Sequence, residues 1–349
     1  MIDLDSMPIS RDLLYRFVSN SLERVGLNSR DANTVAHVLV ETDAMGVFTH
    51  GTKLLRDYMR RIKSGGIRHD AKPVLERQGP AWAVIDGQSA MGHVVACLAM
   101  QTAIEKAIHT GIAYVGARQS NHFGAAGYYA LMAARCGMIG IAMSNDIPSV
   151  AAPGSRRAVL GSNPLAYAIP TSGDPIVLDM ATSTVAGGKV YAAHQRGEAI
   201  PDNWIIGPDG LPTTDGSLYP SQAALAPMAG HKGFGIALLI ETLSGILTGA
   251  AVTWSVGSWI FGDPTTPTNH GAAFLAIDIE SIMPRQEFLN RMDALALEIR
   301  STPAAQGMDR IMLPGDREWI VREQSKSQGI ALPPDVVDKL KSVISEFYN

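Results

Sequence analysis

A chain of 349 residues, 46% apolar and 18% charged, has enough apolar material for more than one core, and its length predicts two domains that need not be contiguous in sequence. A formal net charge of −4 leaves no basic face for nucleic acid, and the short cluster Arg60-Arg61-Ile62-Lys63 reads as a solvated helix face. No window reaches about eighteen uninterrupted apolar residues, and Met1-Ile2-Asp3-Leu4-Asp5 has neither region of a leader, so a cytoplasmic protein with no membrane partner is expected.

Ser10 caps a helix whose apolar positions Leu13, Leu14, Phe17, Val18, Leu22 and Val25 keep the helical period until Gly26, and Ser29 begins a second with Val35, Val38 and Leu39 on one face. The break Gly46-Val47-Phe48-Thr49-His50-Gly51-Thr52 precedes a helix carrying Lys53, Leu54, Leu55, Tyr58 and Met59. His50 sits beside a glycine, where backbone can approach a ligand closely; taken alone it equally reads as a turn histidine. Ala81 to Asp86 alternates like a strand, and Gly92 to His109 is a long apolar helix stopped by Gly111. Cys97 and Cys136 lie inside apolar helical patterns without CxxC spacing, which predicts core thiols rather than a disulfide or a metal site.

Strand and helix then alternate: Ile112 to Ala117, the turn Ser120-Asn121-His122-Phe123-Gly124, a helix from Ala125 to Cys136, and a strand from Ile139 to Met143. This order predicts a layered α/β arrangement, with His122 delivered to the edge of a sheet. Polar clusters end further apolar runs at Ser144-Asn145-Asp146, Gly161-Ser162-Asn163-Pro164 and Asp179-Met180-Ala181-Thr182-Ser183-Thr184, as a ligand-lined edge needs and as ordinary turns also do. Gly187 to Pro227 reads as loop, long enough to suggest function or an interface. Gly230-His231-Lys232-Gly233-Phe234-Gly235 opens an apolar helix, a plausible anion cradle or a tightly packed helix start. Phe274 to Asp278 is a strand, Phe288 to Ile299 a helix, Ile311 to Leu313 a strand, and Pro314-Gly315-Asp316-Arg317-Glu318 turns into a helix. A last helix spans Asp335 to Phe347.

GxGxxG after a strand, GxxxxGK[ST], HExxH, the EF-hand loop and GxSxG are all missing, so an ordinary Rossmann site and a P-loop find no support, and no metal is expected. Two histidines in glycine-flanked turns, polar strand ends and a lysine at a helix start remain. An imidazole moves one proton readily near neutral pH, worth roughly 10²–10⁴ in rate, which suits a carbonyl protonated as hydride arrives from elsewhere.

THG at 49–51, SNHFGAAGYYA at 120–130, GSNPLAYAIP at 161–170, LDMATSTVAGGKV at 178–190, HKGFGIALLIETLSG at 231–245, NHGAAFLAID at 269–278 and LPGDRE at 313–318 together resemble the malate/L-lactate dehydrogenase family, which lacks a Rossmann fold. The motifs run in the family's order over essentially the whole chain. The resemblance implies an α/β protein in which a helical, dimerisation domain (residues 1–120 and 285–349) flanks a mixed-sheet, nicotinamide-binding domain (residues 121–284), assembled as a homodimer. It implies His122 as general acid/base, His50 as its partner, and Asn145 and Asn163 as holding cofactor or substrate. NAD or NADP would lie against Asp179, Met180, Ala181, Thr182, Ser183, Thr184 and Val185, His231 and Lys232, and Gly315, Asp316 and Arg317. Many members carry arginine four residues after the THG histidine, a fork for the substrate carboxylate; this chain has Leu54, so Lys53 or Arg56 is expected to substitute. The implied reaction interconverts a small 2-hydroxy acid and its 2-keto acid. The alternatives are reduction of a cyclic imino acid and, from another class, a cofactor-free histidine lyase or hydrolase. Arg196 or His194 beside the adenosine ribose would favour NADP.

Overall fold

The computed structural model describes residues 8–348, and the Met1–Asp5 segment falls outside them. Helix α1 (Arg11–Arg24) begins at Ser10, whose side chain accepts from Leu13 N, and α2 (Ser29–Ala44) begins at Asn28, which caps Asp31 N. A single tight turn, Thr52–Leu54, leads into α3 (Leu55–Ser64). The buried faces of these helices join residues from the far end of the chain, Leu332, Val336, Leu340 and Val343, in one apolar cluster, and an isolated bridge pairs Ile9 with Ile330. Both chain ends thus build one helical layer.

Strands β1 (Val74–Gly79) and β2 (Trp82–Asp86) form a hairpin, and the crossover helix α4 (Gly92–Thr110) returns the chain to β3 (Ile112–Ser120), parallel to β2. β1 was not foreseen, because its Val-Leu-Glu-Arg-Gln-Gly sequence is an edge strand exposed along nearly its whole length and has no buried face to pattern. Helix α5 (Ala126–Arg135) leads to β4 (Met138–Ser144), the short β5 (Val150–Ala151) and β6 (Ala158–Leu160), then β7 (Leu165–Ile169) and β8 (Ile176–Met180).

Residues 187–227, expected as loop, contain α6 (Gly187–Gln195) and the short strands β9 (Ile205–Ile206), β10 (Pro212–Thr213) and β11 (Ala224–Leu225). With β5 and β6 these form a five-stranded sheet in the order β10-β9-β11-β5-β6, over a core of Val150, Val185, Val190, Ile200, Ile205 and Leu225. Strands of two or three residues are too short to show a period, and only their packing makes them visible.

Helix α7 (His231–Glu241) starts inside the glycine-rich motif and widens into a single π turn, Thr242–Ile246. It precedes β12 (His270–Asp278), α8 (Arg285–Arg300), α9 (Asp316–Gln328) and α10 (Pro334–Phe347). The expected strand at Ile311–Leu313 does not form, since Leu313 N is taken by the Asp316 carboxylate instead of a neighbouring strand.

The main sheet is seven-stranded and mixed, in the order β1-β2-β3-β12-β4-β7-β8. Alternation places Ala113, Val115, Ala117, Ala142, Ala166, Ala168 and Phe274 against α4 and α5, and Tyr114, Ile141, Met143, Leu165 and Leu275 against α7. The small alanine side chains on the first face leave room for the two helices to lie close. The boundary expected at residue 120 coincides with the end of β3, yet β3 pairs with β12 in this same sheet, so β1, β2 and β3 are part of the layer that the later strands complete.

Candidate active site

The turn after β3 and the turn before α3 meet, bringing His122 and His50 to a ring separation of 5.9 Å. Gly124, at φ +77°, lets the first turn bend back, and a Cβ there would stand 3.0 Å from the His93 ring nitrogen. The second turn is fastened from below by Asp43 on α2, whose carboxylate accepts from Thr52 N at 3.0 Å and from the Thr52 hydroxyl. A Cβ at Gly51 would lie 1.8 Å from Asp43 Oδ1, so only glycine fits that place.

His122 is held at one nitrogen. The Tyr58 hydroxyl, buried on α3, is 2.7 Å from Nδ1; Gly124 N approaches the same atom at 3.4 Å, too far to compete. The Trp259 ring stacks on the imidazole at 3.8 Å. No hydrogen bond among the described residues engages Nε2, and His122 lines a cavity of about 1230 Å³. Burial holds the His122 imidazole well below its ordinary value of 6.5, with repulsion from His50, His270 and His93 adding to the effect, so the ring is neutral at neutral pH. His50, whose Nδ1 meets the Thr49 hydroxyl at 2.9 Å, is also lowered by burial, against the attraction of Asp179 and Asp146.

Asp179 ends β8 and accepts from Gly127 N at 2.7 Å, so it closes the N-terminus of α5. It is open to water within the cleft yet walled by protein, and this burial raises its carboxyl against the Gly127 hydrogen bond and His50. Met180, Ala181, Gly315 and Arg317 also line the cavity. Thr182 and Ser183 are buried and donate to Ser162 O and Val185 O, Val185 packs in the small-sheet core, and Thr184, which is exposed, donates to Pro227 O. Gly187 and Gly188 take up the wall after them. Asp316 caps Leu313 N and pairs with Arg300 at 2.7 Å.

Several expected ligand groups are engaged elsewhere. Asn145 gives its amide to Ala251 O and accepts from Gly271 N; Asn163 donates to Ala237 O and Glu241 and accepts from Asp146 N. Both amides tie β4 and the β6–β7 turn to α7; Asn145 also lines the large cavity, and Asn163 does not. Arg56 points to Glu346 on α10 at 2.7 Å, outside the cavity wall. Lys53 lines the cavity but pairs with Asp335 at 2.6 Å. His231 and Lys232 are exposed at the start of α7 and are not in the large cavity; Gly230 beside them borders a separate one of about 390 Å³. Arg196 forks onto Glu198 and is likewise outside it.

Sequence reasoning missed Tyr58, Trp259 and the Asp146–His270 pair, in which His270 Nε2 lies 3.1 Å from Asp146 while Nδ1 meets Thr268. Tyr58 had a signal, because it stands one helical turn after Leu54 and about two after His50. Trp259 had none, being in a loop far along the chain.

A mixed-sheet α/β molecule with a histidine pair and a carboxylate at the head of one deep cleft has the form of an enzyme that moves protons at a bound small molecule. The model of the malate/L-lactate dehydrogenase family matches residues 9–341, and the chain belongs to that family. It is 39% identical to a malate dehydrogenase of Pyrococcus abyssi, over 98% of this chain and 95% of that one. To a ureidoglycolate dehydrogenase (NAD(+)) of Escherichia coli O157:H7 it is 36% identical, over 96% and 95%. The crystal structure of malate dehydrogenase from Entamoeba histolytica superposes with a TM-score of 0.91 at 31% identity, covering 98% of each chain. The chain is accordingly a 2-hydroxy acid dehydrogenase in its broad class, and the cofactor-free lyase or hydrolase expectation is set aside.

Proposed function

We propose that this dehydrogenase interconverts a small 2-hydroxy acid and its 2-keto acid with NAD, His122 exchanging the hydroxyl proton through Nε2. The observation that carries the reading is the His122 imidazole, which lines the cavity, is fixed at Nδ1 by Tyr58 and has no hydrogen bond at Nε2 among the described residues. For Nε2 to accept a proton, Nδ1 must carry the hydrogen, and the Tyr58 oxygen is placed to accept it. His50, facing His122, then orients the substrate oxygen, and Asp179 attracts the His50 imidazole.

The residues present fit a dinucleotide. The cavity, at about 1230 Å³, is larger than one small acid needs, Gly188 leaves open space where a Cβ would stand, and Arg156, Arg157 and Arg317 line the wall without an ion pair among the described residues. Arg156, Arg157 and Arg317 would meet the phosphates; Met180, Ala181, Gly187 and Gly315 would lie along the remainder. When bound, the cofactor carries the hydride. The similarity to a ureidoglycolate dehydrogenase (NAD(+)) supports NAD over NADP, and Arg196, committed to Glu198, offers no 2′-phosphate site.

Apolar side chains Leu238, Leu239, Ile246 and Leu247, exposed on and after α7, support a homodimer through that face. Among the described residues no helix is long and apolar enough to cross a membrane, and the free thiols of Cys97 and Cys136 are consistent with the cytoplasm.

The test is the His122→Ala enzyme beside the wild type, titrated with NADH by fluorescence and assayed with NADH on a panel of 2-keto acids. NADH binding within about twofold and a turnover loss of roughly 10²–10⁴ are expected. A His122→Ala enzyme that keeps its activity refutes the assignment.

A further inference from the structure

We infer that the substrate carries an uncharged, apolar group next to its reacting carbon, so that monocarboxylic 2-keto acids with branched or aromatic side chains are preferred over 2-keto diacids. This rests on the hydroxy acid reading above and narrows its substrate.

Trp259 lies against the reacting imidazole, and Met45, Leu54, Ile260 and Phe261 line the same cavity. Leu54 stands one helical turn before Tyr58, on the same face, and Tyr58 holds His122. The Trp259 ring stacks on both His122, at 3.8 Å, and Tyr58, at 6.0 Å. Leu54 and Trp259 share one apolar cluster, so this surface is continuous with the imidazole rather than remote from it.

Charged groups on this side of the cleft already have partners. Lys53 pairs with Asp335, Arg56 and Arg60 with Glu346, and Arg61 gives its guanidinium to the carbonyls of Asp263 and Thr266. Glu41 is enclosed by Arg11, Arg135 and Arg322, Asp146 faces His270, and Asp179 closes α5. Among the described residues, the unpaired charges of the cavity wall, Arg156, Arg157, Arg317 and Glu318, stand on the β5–β6 turn and the first turn of α9. The 1-carboxylate that every 2-keto acid carries would take Lys53, the cation that lines this side and whose partner Asp335 is exposed, which leaves a second carboxylate facing apolar carbon with no further free cation among the described residues of that wall. An isobutyl or benzyl group would exchange water for that same carbon.

The experiment measures kcat/KM of the full chain with NADH, and in parallel with NADPH, for 4-methyl-2-oxopentanoate, phenylpyruvate and oxaloacetate. A ratio of at least about tenfold in favour of one of the apolar acids is expected, within the range that one pocket contact supplies. Leu54→Arg should move that ratio by at least about tenfold toward oxaloacetate, with the Kd for NADH unchanged within about twofold. A wild-type enzyme that prefers oxaloacetate, or treats the acids alike, overturns the inference while leaving the hydroxy acid reading standing. If none of these acids is reduced with either cofactor, the inference falls, and the wider panel of 2-keto acids decides whether the hydroxy acid reading falls with it. The wild-type ratio decides the matter even if Leu54→Arg fails to fold.

Discussion

Replacing Asp43 by asparagine should reverse the sign of its effect on stability between acid and alkaline pH. Asp43 is fully buried, its Oδ2 accepts from Thr52 N and the Thr52 hydroxyl, and its Oδ1 has no partner among the described residues. Burial pushes the carboxyl from 3.8 up to about 7, against the two hydrogen bonds from Thr52. Below pH 3.8 the group is protonated in both folded and unfolded chains and contributes no pH dependence. Between 3.8 and about 7 the unfolded chain ionises while the folded one stays protonated, so stability falls as pH rises, by about 4 kcal/mol in total once pH passes 7. The amide of the substituted side chain cannot ionise and keeps an acceptor for Thr52 N, but it brings N–H hydrogens into the unpartnered space beside Gly51, at a cost of about 1–3 kcal/mol. Asp43→Asn should therefore be less stable than wild type by about 1–3 kcal/mol at pH 4 and more stable by a similar amount at pH 8.5. Urea titrations at equal protein concentration and several pH values measure this through the midpoint, with the slope unchanged. Stability curves that run parallel from pH 4 to pH 8.5 would refute a buried titrating carboxyl beneath the His50 turn.

Other expectations concern turnover. Because burial keeps His122 well below 6.5, kcat/KM for oxidation should be flat through neutral pH and drop only in acid, where the base becomes protonated. Reduction, which needs the protonated ring, should instead gain as pH falls; matching profiles for the two directions would count against His122. Tyr58→Phe removes the partner of Nδ1 and frees the ring to adopt the unproductive tautomer. A fall in kcat of about tenfold with little change in KM is expected, together with a changed His122 titration by NMR, which a purely structural role for Tyr58 would not alter.

The geometry explains why so many polar side chains surround this cleft while few reach into it. Glu241 alone receives Asn145, Asn163 and the Thr253 amide, so a carboxylate on the apolar helix α7 organises the two turns that end β4 and precede β7. Glu41, buried on α2, is pushed up by its burial but held below the ordinary carboxylate range by Arg322, Arg11 and Arg135, which join α1, α5 and α9 to α2. Such networks are expensive to break and fix the cleft's outline before any ligand arrives.

Local sequence determined the long helices, the alternating strands of the main sheet and the turns that carry His50 and His122. Each of these is written in spacing: a 3.6 or 2 residue period, a cap, or a glycine where no Cβ fits. Ordered motifs determined the family, since seven of them recur in one sequence order. What the tertiary structure alone decided is which polar side chains face the cleft and which face protein. Asn163 and Thr182 looked like ligands because strand-end polar residues often are, yet each donates a hydrogen bond to a segment distant in sequence and neither lines the large cavity. Tyr58 and Trp259 gained their places against His122 the same way, through the approach of α3 and a remote loop. A side chain's partner depends on which elements pack together, and that long-range pairing leaves no mark in local spacing.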